Sequence, residues 1–226
     1  MSKIDFHFIR HVPVITPGAY WYGEEIEIDL DSEAVKNRFN YLSGFLPHAQ
    51  KTCLVISSPY PRARETASGV LKSSDDFKVM SGFAEQQYGD MKDRLHKDIK
   101  HEDHVIAYTG DTWNNAPRNG ESLSMFQERV ALSIVGTVEQ LGDHITDVIV
   151  FCHGGVQMAA LANAKGVTMP EIRQLKKQDS GLEFSYMSVL KLSYDRLTKT
   201  WSEDFSIDQG LGKVITPSDP SKGPSF

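Results

Sequence analysis

Apolar runs rich in β-branched residues recur along the 226-residue chain at Ile4–Ile9, Thr52–Ser57, Phe77–Met80, Asp147–Cys152 and Met187–Leu192, with a last one around Trp201–Phe205. Each has the length of a strand. Between them, helical patterns cover Ser32–Phe45, Pro61–Leu71, Ser122–Leu141, Val156–Ala164 and Pro170–Leu175. Strands alternating with helices predict an α/β fold: a three-layer α/β/α sandwich around a mainly parallel, mixed sheet of about five or six strands. Asp31 or Ser32 can cap the first helix, and Ser122, with Glu128 downstream, fits the entry into the long one.

The stretch from Gly82 to Gly120 is polar, rich in His, Asp and Lys, and poor in regular pattern. It is expected to cross over the sheet as an excursion rather than form a domain of its own, and such excursions often cover active sites. From Gly210 onward the chain is rich in Gly, Pro, Ser and Lys with few large apolar groups, so residues 1–209 are expected to form one domain and 210–226 a flexible tail. No internal repeat is present.

Composition narrows the partners. The net charge of −6 argues against nucleic acid held on a broad basic surface, although a small cationic pocket can exist within an acidic total. Met1 to Ile9 lacks the basic segment and longer apolar stretch of a secretory signal, and no run is long enough to span a membrane, so a cytoplasmic location is expected. Cys53 and Cys152 each lie in an apolar run that reads as a buried strand, which argues against a disulfide framework.

The chemistry gathers at the strand ends. Ile9-Arg10-His11 follows the first strand, Ser57-Ser58-Pro59-Tyr60-Pro61-Arg62 the second, and Cys152-His153-Gly154-Gly155 the fourth. In an open α/β sheet the crevice beyond the carboxyl ends of the strands binds ligands, so these loops should converge. The helices that follow aim their N-termini into that crevice and favour an anion there. Alternatives compete at several positions: Arg64 with Arg62, and Glu65, Asp90 and Glu121 with Glu85 as the carboxylate of the crevice. His96, His101 and His104 with Asp98 and Asp103 are too irregularly spaced for a ligand set, so no metal is expected and a solvated face is. Trp113, Tyr20, Trp21 and Tyr22 read equally as core or as a lid over an apolar part of a substrate.

Arg10-His11, Ser58-Pro59 through Arg62-Ala63 to Thr66-Ala67, Asn119-Gly120-Glu121-Ser122 and His153-Gly154-Gly155 resemble, in order, the motifs of the histidine phosphatase superfamily, which includes the cofactor-dependent phosphoglycerate mutases. The opening Arg10-His11-Val12-Pro13-Val14, with Pro17-Gly18 and Tyr22-Gly23, is closer to the α-ribazole phosphatase branch. Phe83-Ala84-Glu85 through Tyr88-Gly89-Asp90 resembles that branch's acid loop. The resemblance implies that His11 is a nucleophile and that Arg10 and Arg62 bind phosphate oxygens through planar donor forks. It also implies that His153, if protonated, adds a third positive group, and that Glu85 protonates the leaving alkoxide and then deprotonates water. Two departures stand out. The family's glycine after the nucleophile is Val12, and a polar position near the phosphate is Pro17, for which Ser57 is the candidate replacement. The expected function is hydrolysis of a small phosphate monoester through phosphohistidine, without cofactor, nucleic acid or membrane, and a homodimer is compatible with it. A phosphoglycerate mutase and a non-catalytic phospho-ligand-binding module are the alternatives.

Overall fold

The computed structural model describes residues 3–15, 20–21, 23–73, 76–179 and 181–211. Pro17, Gly18, Tyr22 and residues 212–226 lie outside them. The strands are β1 (Lys3–Arg10), β2 (Tyr20–Trp21), β3 (Cys53–Ser57), β4 (Lys78–Val79), β5 (Arg94–Leu95), β6 (Asp147–Cys152), β7 (Val189–Asp195) and β8 (Thr200–Asp208). The helices are α1 (Glu33–Phe45), α2 (Pro61–Leu71), α3 (His96–Ile99), α4 (Asp103–Gly110), α5 (Leu123–Gln140), α6 (Gly154–Lys165) and α7 (Met169–Gln178).

Six strands form one mixed sheet in the order β4-β3-β6-β1-β7-β8, the α/β fold expected from the pattern. β4, β3, β6 and β1 run parallel; β7 is antiparallel to β1, and β8 to β7. Alternation along β1 sends Phe6 and Phe8 to one face, against Phe126 and Val130 of α5, Val156 and Ala160 of α6 and Met169 and Ile172 of α7. Ile9 faces the other way, onto Val35 and Leu42 of α1 and Ala67 and Val70 of α2. These are the three layers, and the two apolar clusters hold the sheet between them.

The ends of the elements follow local chemistry. Ser32 caps α1 through a bond from the Val35 amide, and Ser122 caps α5 through one from Met125. Pro61 opens α2 at the position where a missing N–H costs nothing. Met187, expected to begin a strand, instead has φ of 57°, a left-handed backbone that no strand tolerates, so β7 starts two residues later. Gly82–Gly120 contains more order than its composition implies: β2 pairs with β5, and α3 and α4 close on a small third core of Trp21, Met91, Ile99, Val105 and Tyr108. Gly210 and Leu211, assigned to the tail by composition, are ordered, with the Leu211 amide donating to Tyr186 O at 3.0 Å. Both cysteines are free thiols. Among the described residues no helix is long and apolar enough to cross a membrane.

Candidate active site

Parallel strands deliver their C-terminal ends to one edge of the sheet, and β7, running the other way, delivers its start there. Arg10-His11, Ser57-Ser58, Cys152-His153 and the Phe184–Ser188 turn therefore meet.

His11 is 2% exposed. Its amide donates to Cys152 O at 3.0 Å, and its Nδ1–H donates to Val12 O at 2.7 Å, which leaves Nε2 as an unprotonated acceptor. Val12 serves this purpose as well as a glycine would, because only its backbone is used: its N–H donates to Thr66 Oγ1 at 3.0 Å while its side chain enters the core beneath. It is absent from the described residues with positive φ, so the β-branched side chain meets no strain.

Arg62, at the first turn of α2, is 1% exposed, whereas Arg64 is exposed on the same helix. Arg62 NH1 donates to Gly23 O at 2.6 Å, and Nε donates to His153 Nδ1 at 3.3 Å. That donation assigns the tautomer of His153: Nδ1 accepts, and Nε2–H donates to Ser58 Oγ at 2.7 Å. His153 is thus neutral. Burial first, then the Arg62 charge, then His11 and Arg10, hold its pKa well below 6.5, so the third positive group expected from protonation is not present in this state. Burial, then Arg62, then Arg10 likewise hold His11 well below 6.5 and keep it neutral, the form that can act as a nucleophile. The two rings lie 5.1 Å apart in an edge-on arrangement.

Arg10 donates through NH1 to Phe184 O at 2.7 Å, its guanidinium carbon lies 3.9 Å from the centroid of the Tyr186 ring, and its buried Nε has no partner among the described residues. Two cations, two neutral imidazoles and the N-terminus of α6 thus surround one small region, an arrangement suited to a tetrahedral dianion.

Glu85 approaches from the excursion. Its Oε1 accepts from the Gln86 amide at 3.0 Å and its Oε2 from the Gly155 amide at 3.2 Å. Gly155 is required for this approach, since a Cβ there would overlap Glu85 Oε1 and press on Phe126. The rival carboxylates are placed elsewhere. Glu65 and Asp90 are exposed, and Glu121 is buried in a pair with Arg129 while accepting from the Gln87 amide at 2.9 Å. Ser57 is fully buried and donates to Ser58 O at 3.0 Å; the hydroxyl that joins the cluster is that of Ser58. A strand ends between these two serines, so alternation could not decide which one faces the crevice. Tyr186, which lies against Arg10, and Arg129, which holds the carbonyls of Ala84 and Glu85, had no motif to mark them. Trp21 is core of the excursion, and Trp113 packs partly buried against the main core. Among the described residues no group of three or more His, Cys, Asp or Glu is arranged to hold a metal ion.

The mixed sheet carries, at one edge, a strand-end pair of histidines between two arginines, an arrangement suited to an anion. The chain belongs to the histidine phosphatase superfamily (branch 1), whose model matches residues 7–200. It is 32% identical over 119 residues to an adenosylcobalamin/alpha-ribazole phosphatase of Salmonella typhimurium, covering 51% of this chain and 57% of that protein's length. In fold it is similar to the alpha-ribazole phosphatase from Shigella flexneri (TM-score 0.70, 19% identity, 94% of this chain and 100% of that one). A mycobacterial glucosyl-3-phosphoglycerate phosphatase is also similar (TM-score 0.66, 19% identity, 90% of this chain and 98% of that one).

Proposed function

We propose that the chain hydrolyses a small phosphate monoester by way of a phosphohistidine on His11. The observation that carries this reading is the His11 Nδ1–Val12 O bond, which aims a neutral Nε2 lone pair into a region bounded by Arg10 and Arg62. The arginines hold the phosphoryl oxygens and stabilise charge that builds on them during transfer. Nε2 attacks phosphorus, the bond from phosphorus to the ester oxygen breaks, and the Glu85 carboxyl gives its proton to the departing alkoxide. Water then loses a proton to the Glu85 carboxylate as its oxygen attacks phosphorus, the P–N bond breaks, and inorganic phosphate leaves with His11 regenerated. Neutral His153 contributes as a hydrogen-bonding group, so Arg10 and Arg62 carry the cationic role.

The Salmonella relative makes α-ribazole phosphate the first substrate to try. Tyr60 and Tyr186, which border the two arginines, supply no further cation for a carboxylate and so suit a leaving group without one better than they suit a phosphoglycerate.

The test is a panel of phosphorylated metabolites containing α-ribazole phosphate and 3-phosphoglycerate, run with and without exhaustive chelation, plus rapid quenching to trap acid-labile phosphate. The expected outcome is chelator-resistant release of phosphate, label on His11, and none of either in a folded His11→Ala chain. Full turnover by that variant overturns the mechanism. Loss of turnover on chelation, restored by one added divalent metal, overturns its metal independence. Transfer of label back to phosphoglycerate in place of release would make the chain a mutase.

A further inference from the structure

Arginine has a long, freely rotating side chain, and its usefulness to a phosphate depends on how much of that freedom is removed beforehand. Arg10 is held by two contacts that come from one short turn ahead of β7. Phe184 O takes NH1 at 2.7 Å, and the guanidinium carbon lies over the Tyr186 ring, 3.9 Å from its centroid. The same ring sits 5.7 Å from the His11 ring, tilted by 56°. The turn itself is pinned to the residues it serves: the Met187 amide donates to Arg10 O at 3.1 Å and to His11 O at 3.3 Å. From behind, the Leu211 amide holds Tyr186 O at 3.0 Å, and Arg38 donates to Met187 O at 3.0 Å through NH2. With NH1 committed to Phe184, the Nε edge of the fork remains, and Nε is buried without a partner among the described residues. A buried donor left unsatisfied is costly unless a ligand completes it.

We propose that Tyr186 is a positioning residue, whose ring holds the Arg10 guanidinium with its Nε edge toward the phosphate next to His11. This rests on the reading of Arg10 as a phosphate ligand. Tyr60 stands in a looser version of the same relation to the second arginine, 4.8 Å from the Arg62 carbon and 5.3 Å from the His153 ring. Among the described residues the phenol oxygen of Tyr186 makes no hydrogen bond to Arg10, so the aromatic face alone matters.

The experiment uses the full chain, p-nitrophenyl phosphate turnover, and inorganic phosphate binding by calorimetry. Tyr186→Phe should match the parent within about twofold in both. Tyr186→Leu and Tyr186→Met should weaken phosphate binding and lower kcat/KM on the order of tenfold, at unchanged melting temperature. A lysine cannot present the stacked fork, so in an Arg10→Lys background the Tyr186→Leu change should cost less than about twofold. Three results would each overturn the positioning role: a Leu variant with parental phosphate binding, a Phe variant as impaired as Leu, or an equal loss in both backgrounds. If the parent chain itself neither binds nor hydrolyses phosphate compounds, the functional reading falls as well, and that outcome is separate because it appears before any variant is compared.

Discussion

Burial and two guanidinium charges make His11 and His153 poor bases, and this has a consequence for stability. Both have pKa values well below the ordinary 6.5 in the folded chain, His11 through burial, Arg62 and Arg10, and His153 through burial and Arg62 before its other neighbours. Burial also lowers His7, against the opposing pull of Asp147. In the unfolded chain all three titrate near 6.5, so below that pH the unfolded state binds more protons and gains on the folded one. Their contribution is intact above about pH 6.5 and is lost as pH falls toward the depressed folded values. Thermal midpoints measured from pH 7.5 down to 5 should therefore decline, and less steeply in a His11→Asn, His153→Asn chain; equal slopes would contradict it. At the same scale, Glu85→Gln separates acid catalysis from structural need. An alkoxide must be protonated as it leaves and p-nitrophenolate need not be, so this change should slow an alkyl phosphate by on the order of a hundredfold and p-nitrophenyl phosphate far less. Equal slowing of both would assign Glu85 a structural role.

At the scale of elements, α5 holds the segment that carries Glu85. Arg129, one turn and a half into this helix, donates to Gly82 O at 2.9 Å, Ala84 O at 3.2 Å and Glu85 O at 3.3 Å. It pairs with Glu121, with NH2 at 2.5 Å and Nε at 3.1 Å. Glu121 is 7% exposed, and its backbone carbonyl accepts from Gln86 Nε2 at 2.9 Å. A long helix thus fixes an otherwise irregular loop through one side chain that satisfies several carbonyls at once. Arg129→Met would leave the Glu121 carboxylate buried without its cation and free those carbonyls. The expected cost is roughly 2 to 4 kcal/mol in denaturant unfolding, with turnover of an alkyl phosphate lowered more than that of p-nitrophenyl phosphate because Glu85 is displaced. A loss of stability with turnover unchanged on both would show that α5 does not position Glu85.

The whole molecule brings to one sheet edge the ends of strands far apart in sequence. The antiparallel β7–β8 pair completes the site from the other side of β1. β8 ends at Asp208, and Gly210 follows with φ of 68°, its Cα so close to Tyr186 O that a Cβ would overlap it. Gly210→Val should consequently strain the backbone and push the Phe184–Ser188 turn off Arg10 and His11. Activity should fall at least on the order of tenfold, in a chain whose sheet and helices keep their circular dichroism. An active, unshifted Gly210→Val chain would show that the end of β8 does not hold the turn.

Much of this architecture is legible in the sequence, because the physics involved is local. The strand runs such as Ile4–Ile9 and Asp147–Cys152 are apolar since the sheet is covered on both faces, and α2 starts where Pro61 says it should. The ordered motifs around Arg10-His11, Arg62 and His153 identify the family, since each sits where a parallel strand must end. What only the tertiary structure decided are matters of which group touches which. Ser58 rather than Ser57 meets His153 because the strand stops between them. Glu121 is spent on Arg129 while Glu85 reaches Gly155. Short pieces such as β2 and β5, two residues each, carry no period to read, and their order comes from closing around Trp21. The protonation of His153 depends on burial first and then on an arginine 91 positions away that donates to its Nδ1, and the hold on Arg10 on a tyrosine beyond the last motif. Composition and spacing record what each residue is able to do, and only the folded distances set the charge it carries and the partner it finds.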